Sequence, residues 1–326
     1  MKGIKNAIAA VKEYLNEDFP FYSDALLSAF VRVNPVFTRP KYADFFWHCG
    51  STIPGWLPNI LVESAIAESI GSKTLLTYWK IVKDNEQAEN GLLRHARDEA
   101  AHAHVFLRLV DLAFPDFVPF EKRHEIDSSL HKIPGNIEKE ERRLPEMMLI
   151  NYLTRINMAE LRTLINLHLL APMFYVLTPD ENKEAVSRLL NSLQRDELHH
   201  IAYTAELLEI FGRDSGGSLL NVIYKENLYK FELYSTQGLE EAIRAHGGNE
   251  FFDLLQVDEL CRGGDGNRPP AEQRSSPGSS WSIYWPSIPV DSRPLRPDVS
   301  NSPEDQSRVS GSDSITPTHR ATPAPL

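Results

Sequence analysis

Apolar residues recur with helical spacing in four long stretches of the chain, and no convincing run of alternating, strand-like positions accompanies them. The four stretches lie at about 54–82, 84–114, 145–177 and 180–211. Asp84 is predicted to cap the second helix, while Pro115 and Gly212 are predicted to end the second and the fourth. The pattern therefore predicts an all-α fold: a four-helix bundle of two hairpins joined by a long polar connection.

Shorter helical patterns flank these four stretches. They lie at 2–16, 23–33, 41–48 and, as one longer helix, 219–245. Asn34-Pro35 and Arg39-Pro40 separate the early ones, because the residue before a proline disfavours helical geometry. The predicted organisation is a helical layer over 1–53, followed by the bundle and its additional C-terminal helix over 54–261.

The composition changes after Cys261. Eleven of the 22 prolines and many serines fall within 262–326. Such a segment has few side chains that could pack, so it cannot offset the entropy lost on ordering. The composition predicts a disordered tail over 262–326.

The charge and the cysteines exclude several classes of protein. A formal net charge of -11 opposes binding to nucleic acid or to an anionic membrane surface. The two cysteines, Cys49 and Cys261, are too few and too far apart for a disulfide framework. The first residues do not resemble a secretory signal, and no apolar run approaches the roughly 20 residues that span a bilayer. These features predict a soluble, cytoplasmic protein.

One short motif occurs twice in the predicted bundle. The sequence Arg-Asp-Glu-x-x-His ends at His102 in the second helix and at His200 in the fourth. Glu99 and Glu197 therefore each precede a histidine by three positions. On a helix this spacing puts both side chains on one face, where they can bind a single metal ion. His199 adjoins His200, but only His200 keeps the spacing to Glu197.

A further glutamate lies in an apolar run of each preceding helix. Glu63 precedes Glu99 by 36 positions, and Glu160 precedes Glu197 by 37. A buried carboxylate is costly unless it is paired or bound to metal. Glu68 is an alternative to Glu63, but the matched spacings favour Glu63. Tyr78 and Tyr175, each 15 positions after its glutamate, agree with that alignment and with an internal duplication.

The six residues together suit a pair of metal ions. Four carboxylates balance the charge of two divalent cations, while the imidazoles stay neutral. Zinc favours four-coordinate sites and calcium favours all-oxygen shells. A mixed carboxylate and imidazole set therefore favours iron, with manganese as the alternative.

This ligand set resembles that of the ferritin-like di-iron carboxylate proteins. In that superfamily two helices of a four-helix bundle supply one Glu each, and two supply Glu-x-x-His. The resemblance covers roughly 54–212 and implies the ligands Glu63, Glu99, His102, Glu160, Glu197 and His200. Asp98 and Asp196 resemble aspartates of the family's monooxygenases, each of which holds a ligand histidine of the opposite half-site.

Two further residues have more than one interpretation. His95 lies four residues before Glu99, on the same helix face. It is an added metal ligand, a hydrogen-bond donor to a ligand, or an ordinary helix residue. Thr163, one turn after Glu160, resembles a hydroxyl near the oxygen site of family hydroxylases and is a tentative catalytic residue. Alternatively, Thr163 bonds a carbonyl of its own helix.

The resemblance implies an enzyme: an O2-dependent di-iron oxygenase that N-oxygenates or hydroxylates a small molecule, with O2 as co-substrate. Such an enzyme needs an external electron donor, a reductase or a ferredoxin, because the sequence contains no flavin, haem or iron-sulfur motif. A homodimer is compatible with it. One alternative is a ferritin-like iron-storage or peroxide-scavenging protein without an organic substrate. Another is a helical interaction module that has kept the ligands.

Overall fold

The computed structural model describes residues 2–247 and 249–255, and within these ranges all regular secondary structure is helical, without a strand. The α-helices of this part are α1 (Lys2–Leu15), α2 (Pro20–Val33), α3 (Pro40–Thr52), α4 (Trp56–Ile81), α5 (Glu86–Ala113), α6 (Phe120–Ser129), α7 (Glu146–Leu177), α8 (Lys183–Asp214) and α9 (Ser218–Ala242). A π-helical turn (Ile243–Gly247) and a 3-10 turn (Asn249–Leu255) follow α9. The prediction of an all-α fold is confirmed.

Four of these helices form the bundle. A four-residue connection joins α4 to α5, and the two pack along each other as an antiparallel hairpin. α7 and α8 form the second hairpin in the same way. The hairpins meet where α5 packs on α8, and the long connection between them contains α6. This is the predicted four-helix bundle with one long crossover.

The remaining helices cover the bundle. α2 packs against α8 and α9, α9 packs against α7, and α1 packs against α8. A buried carboxylate, Glu232 of α9, fixes the segment between α2 and α3. It accepts a hydrogen bond from the Val36 backbone N–H and pairs with Arg39 Nη2 at 3.0 Å. The bundle therefore has an additional layer of helices on the side of α7 and α8.

Two predicted helix ends are wrong. Asn85, not Asp84, caps α5: its side chain accepts a hydrogen bond from the Ala88 N–H at 2.9 Å. Asp84 adopts a left-handed backbone conformation (φ 60°), which turns the chain into the helix one residue later than predicted. Gly212 does not end the fourth helix, because α8 continues to Asp214.

Among the residues that the structure describes, no helix combines the length and the apolar character needed to cross a membrane. The predicted tail, 262–326, lies outside the described residues, as does Cys261. Cys49 is buried in α3.

Candidate metal centre

The two Glu-x-x-His motifs face each other across the contact between α5 and α8. Glu99 and His102 of α5 are 2% and 3% exposed, and Glu197 and His200 of α8 are fully buried. The His102 Nδ1 atom lies 3.5 Å from the nearest Glu197 oxygen, and the His200 Nδ1 atom lies 3.7 Å from the nearest Glu99 oxygen. Each histidine therefore approaches the glutamate of the opposite helix, so both motifs belong to one cluster.

Two overlapping groups of buried side chains in this cluster could each hold a metal ion. Within each group, one ligand atom of every residue lies within 4.8 Å of the others. One group contains His95, Glu99, Glu160 and His200, and the other contains Glu68, Glu99 and His102. Glu99 belongs to both groups and would therefore contribute to either site.

Glu197 completes the cluster. Its two oxygens lie 3.5 Å from His102 Nδ1 and 3.6 Å from His200 Nδ1, so it lies beside one residue of each group. Neither oxygen has a hydrogen-bond partner among the described residues. A fully buried carboxylate without such partners is unstable as an anion unless a cation lies beside it.

The structure brings Glu68, rather than the predicted Glu63, to the cluster. Glu68 is 7% exposed and lies against Glu99. Glu63 is absent from both ligand groups, and it is half-buried. Burial raises the pKa of Glu63 to about 7, and its buried Oε2 atom has no partner in the described part of the chain.

Hairpin geometry explains why Glu68 joins the cluster. Glu68 lies thirteen residues before the end of α4, and Glu99 lies thirteen residues after the start of α5. Residues at equal distances from the turn of an antiparallel hairpin lie side by side. Glu63 is five residues further away, about 7.5 Å along the helix and about 140° around it. The prediction assumed equal spacings in the two hairpins, but the intervals differ: 31 residues from Glu68 to Glu99 against 37 from Glu160 to Glu197.

The tyrosines used in that alignment do not occupy equivalent places. Tyr78 stacks on Tyr152 with 3.4 Å between the ring centroids. Tyr175 is 71% exposed, beneath the ammonium group of Lys183. The two halves share the Glu-x-x-His motif but not these surroundings.

Two aspartates hold the motif histidines from outside. Asp98 of α5 lies 3.2 Å from Nε2 of His200, on α8. Asp196 of α8 lies 3.5 Å from Nε2 of His102, on α5, which is an ion-pair distance and not a hydrogen bond. In both histidines the opposite ring nitrogen, Nδ1, is buried and has no hydrogen-bond partner within the described residues. An Nε2–H that donates to a carboxylate leaves Nδ1 with a lone pair that can bind a metal ion.

His95 belongs to the cluster in the structure. Its Nε2 atom lies 3.2 Å from Glu99 and 3.3 Å from Glu160, and its Nδ1 atom lies 3.0 Å from the Tyr203 hydroxyl. The His95 ring also stacks on the ring of His200 at 3.6 Å. Of its three interpretations, the position of an added ligand fits best. Nε2 would then bind the metal, while Nδ1–H donates to Tyr203.

The electrostatics of the cluster favour a cation. Burial raises the pKa of Glu68 and of Glu197, and the neighbouring carboxylates Glu99 and Glu160 raise both pKa values further. Burial lowers the pKa of His200 to about 4, and positive charge on His95 lowers it as well. Burial and the repulsion between neighbouring carboxylates therefore disfavour the ionised forms of Glu68 and Glu197, and burial keeps His200 neutral. Bound cations would relieve that repulsion.

The residues present fit a pair of first-row metal ions. The cluster offers four carboxylates and three imidazoles, all buried, with unpartnered ligand atoms on His102, His200 and Glu197. This mixed oxygen and nitrogen set suits iron or manganese better than zinc or calcium.

A narrow cleft adjoins the cluster between α4, α5 and α7. Its lining includes Glu68, Phe106, Thr163 and Arg162. Its volume is about 10 Å³, roughly the space that one water molecule needs. Thr163 lies in this cleft. Its hydroxyl makes no hydrogen bond to a carbonyl of its own helix among the described residues, which was the alternative interpretation.

Tyr203 was not among the predicted site residues, and Glu68 was the alternative to Glu63. Tyr203 lies three positions after His200, on the same face of α8, so the spacing in the sequence could have indicated it. Arg195 lies 3.9 Å from Asp196, and Arg94, one turn before Asp98, lies 3.6 Å from that aspartate.

No family model matches this chain, and neither a curated protein nor a solved structure is detectably similar to it.

Proposed function

We propose that this chain is a di-iron oxygenase that transfers an oxygen atom from O2 to a small molecule, by N-oxygenation or hydroxylation. The observation that carries the proposal is the buried cluster of four carboxylates and three histidines with a cleft at its edge. In the proposed site Glu68, Glu99, Glu160, Glu197, His95, His102 and His200 hold two iron ions. Manganese is the alternative metal.

A pair of ferrous ions supplies electrons for the reduction of O2 when it is bound by such ligands. One oxygen atom enters the substrate and the other leaves as water. The balance requires two electrons and two protons in each cycle, and an external reductase or ferredoxin would supply the electrons. The apolar packing around the cluster excludes bulk water, so the oxidising equivalents are directed to a molecule in the cleft.

The residues around the ligands have defined tasks in this proposal. Asp98 accepts a hydrogen bond from His200 and keeps its proton on Nε2, so Nδ1 stays available to metal. Asp196, 3.5 Å from Nε2 of His102, would favour the same tautomer there. Tyr203 would accept a hydrogen bond from Nδ1–H of His95, so that Nε2 of His95 stays available to metal. Thr163 and Phe106 line the cleft beside Glu68, where a substrate would lie closest to the metal ligands.

Iron storage or peroxide scavenging is the second candidate. The small volume of the cleft favours it, because a protein without an organic substrate needs no larger space beside the metals. In both candidates the cluster binds iron and reacts with oxygen, so oxygen consumption alone does not separate them. Oxidation of a substrate that is coupled to oxygen consumption does separate them, because a substrate held beside the metals reacts in an effectively intramolecular step.

The experiment loads the protein anaerobically with ferrous iron and then adds O2 together with a panel of small amines, amino acids and organic acids. Products are followed by mass. The oxygenase proposal predicts that one compound gains the mass of an oxygen atom, and that Glu99→Ala abolishes this gain. Iron uptake far beyond two ions per chain, with no oxygenated compound, would favour storage instead.

A further inference from the structure

Helix α4 has one glycine in its interior, Gly71. Glycine destabilises the middle of a helix relative to alanine, so this position needs an explanation in the packing around it. Gly71 lies three residues after Glu68, on the side of α4 that carries that glutamate into the metal cluster. The glycine is therefore part of the surface that α4 presents to the cluster.

The carboxylate of Glu99 lies against Gly71, where another residue would carry a side chain. A Cβ atom built on Gly71 would lie 3.1 Å from Glu99 Oε2 and 3.9 Å from Glu99 Cδ. Apart from the chain neighbours of Gly71 and the backbone of α4, no other described residue has an atom within 4 Å of that Cβ position. A methyl group at Gly71 would therefore press on the Glu99 carboxylate and on no other group of the cluster.

The backbone at Gly71 is held close to α5. Ser72, the next residue, is fully buried, and its hydroxyl donates a hydrogen bond to the Ala96 carbonyl oxygen of α5 at 2.7 Å. Ala96 lies one turn before Glu99 on that helix. Since α4 cannot move back from α5 without breaking this buried bond, the Glu99 carboxylate is the group that would have to move if a methyl group were added.

A metal ligand tolerates little displacement. A contact of 3.1 Å is unusually tight for a methyl group, so the Glu99 oxygen would have to shift by a few tenths of an ångström. Distances between a metal ion and its ligands hold within about 0.2 Å. The other Glu99 oxygen lies 3.2 Å from His95 Nε2, so the carboxylate cannot retreat without approaching a second ligand. Glu99 belongs to both ligand groups, and the shift would therefore affect either site.

We propose that Gly71 is a positioning residue: because it has no side chain, the Glu99 carboxylate can occupy the place at which it binds metal. This inference rests on the proposed function, since it takes Glu99 as a metal ligand. Gly71 itself touches no metal and acts only through Glu99. Its effect must therefore disappear when the side chain at position 99 no longer reaches Gly71.

The test measures the affinity of the full chain for Fe2+ without oxygen, by competition with chelators of graded strength. We expect Gly71→Ala to bind Fe2+ at least about 10-fold more weakly than the parent, the loss expected when a group that places a metal ligand is changed. Thr74→Ala is the matched control. Thr74 lies on the same helix, its hydroxyl donates to the Ile70 carbonyl oxygen at 2.9 Å, and it belongs to neither ligand group. Thr74→Ala should bind Fe2+ as the parent does.

A double-mutant cycle separates this role from a general effect on packing. Glu99→Asp shortens the side chain by one methylene and withdraws the carboxylate from Gly71. Adding Gly71→Ala to Glu99→Asp should therefore cost no further affinity for Fe2+. An equal loss in both backgrounds would overturn the inference, because the glycine would then act without Glu99. If Glu99→Asp binds no Fe2+, the comparison of Gly71→Ala with Thr74→Ala decides.

The remaining outcomes distinguish the inference from the proposed function. Unchanged affinity in Gly71→Ala, or a loss in Thr74→Ala as well, would overturn the inference alone. Loss of the helical circular dichroism in Gly71→Ala would overturn it too, because the methyl group would then press on more than Glu99. A parent that binds no Fe2+ would refute the proposed function and the inference with it.

Discussion

At the scale of single residues, the structure explains how two helices can prepare histidines for metal. Asp98 and His200 lie on different helices, and so do Asp196 and His102. Each aspartate precedes a glutamate of the cluster, so one turn of helix supplies both a ligand and the partner of a ligand. The two aspartates are about 28% and 29% exposed, which allows them to stay ionised at the edge of the buried site.

Asp98→Asn should lower the affinity for metal by about 10- to 100-fold, because an amide no longer holds the Nε2 proton as firmly. Asp196→Asn should have a similar effect at the other histidine. Affinity is measured by competition with a chelator of known strength. Asp111→Asn is the matched control, since Asp111 lies on α5 but pairs with Arg123, away from the cluster. Unchanged affinity in both Asp98→Asn and Asp196→Asn would show that the aspartates have no positioning role.

Part of the candidate site could be predicted from the sequence, residue by residue. The Glu-x-x-His spacing is a property of one helix, and the structure brings Glu99, His102, Glu197 and His200 together. The choice between Glu63 and Glu68 depends on how two helices align, which follows from the place of the turn rather than from periodicity. Aligning the hairpin at its turn, after Ile81 and before Glu86, selects Glu68.

At the scale of the elements, α5 and α8 approach closely at Gly91. A Cβ atom built on Gly91 would lie 2.5 Å from the ring of Tyr203, the partner of His95. The missing side chain therefore makes room for a ring that orients a cluster residue. Here the packing of two helices and the geometry of the site depend on the same contact.

Gly91→Ala should destabilise the iron-loaded protein, because overpacking costs about 1–3 kcal/mol. The gain in helix propensity, about 1 kcal/mol, offsets only part of that cost. The free energy of unfolding is measured by urea denaturation. Gly135→Ala is the control, because nothing lies within 4 Å of a Cβ atom at Gly135, and its unfolding free energy should stay within about 0.5 kcal/mol of the parent. A Gly91→Ala variant as stable as the parent would contradict the close approach.

The start of α5 gives a second prediction for an element. Asn85→Ala removes the side-chain acceptor of the Ala88 N–H and should cost about 1 kcal/mol of unfolding free energy. Asp84→Asn should change little, because asparagine also tolerates a left-handed backbone and Asp84 caps nothing. Thermal and urea denaturation of both variants measure the difference. A loss of less than about 0.5 kcal/mol in Asn85→Ala would contradict the cap at Asn85.

Helix lengths were largely predictable, and the exceptions have local causes. Proline and helical periodicity indicated α4, α5 and α7 to within about two residues at each end, which is the usual uncertainty of helix ends. Gly212 was predicted to end α8 because glycine commonly follows a helix. In the structure a Cβ atom at Gly212 would lie 2.7 Å from Phe21 and 3.0 Å from Leu220. This glycine is required by close packing inside the helix, which a single sequence does not reveal.

At the scale of the whole molecule, the bundle encloses four carboxylates that repel one another when they are ionised. Burial makes each of them costly as an anion, and the nearby imidazoles offset only part of that cost. Two divalent cations would balance the four charges. The proposal therefore ties stability to metal: the iron-loaded protein should be the more stable form, because a ligand that binds only the folded state shifts the unfolding equilibrium.

The most direct test of the dinuclear site is the iron content per chain of protein produced with iron. The account predicts about two ions in the parent and in Glu63→Ala, and fewer than two in Glu68→Ala and in His102→Ala. Glu63→Ala serves as the control, because it removes a glutamate from the same helix as Glu68 but from outside the cluster. Full iron content in both Glu68→Ala and His102→Ala, or a loss in Glu63→Ala alone, would contradict the account.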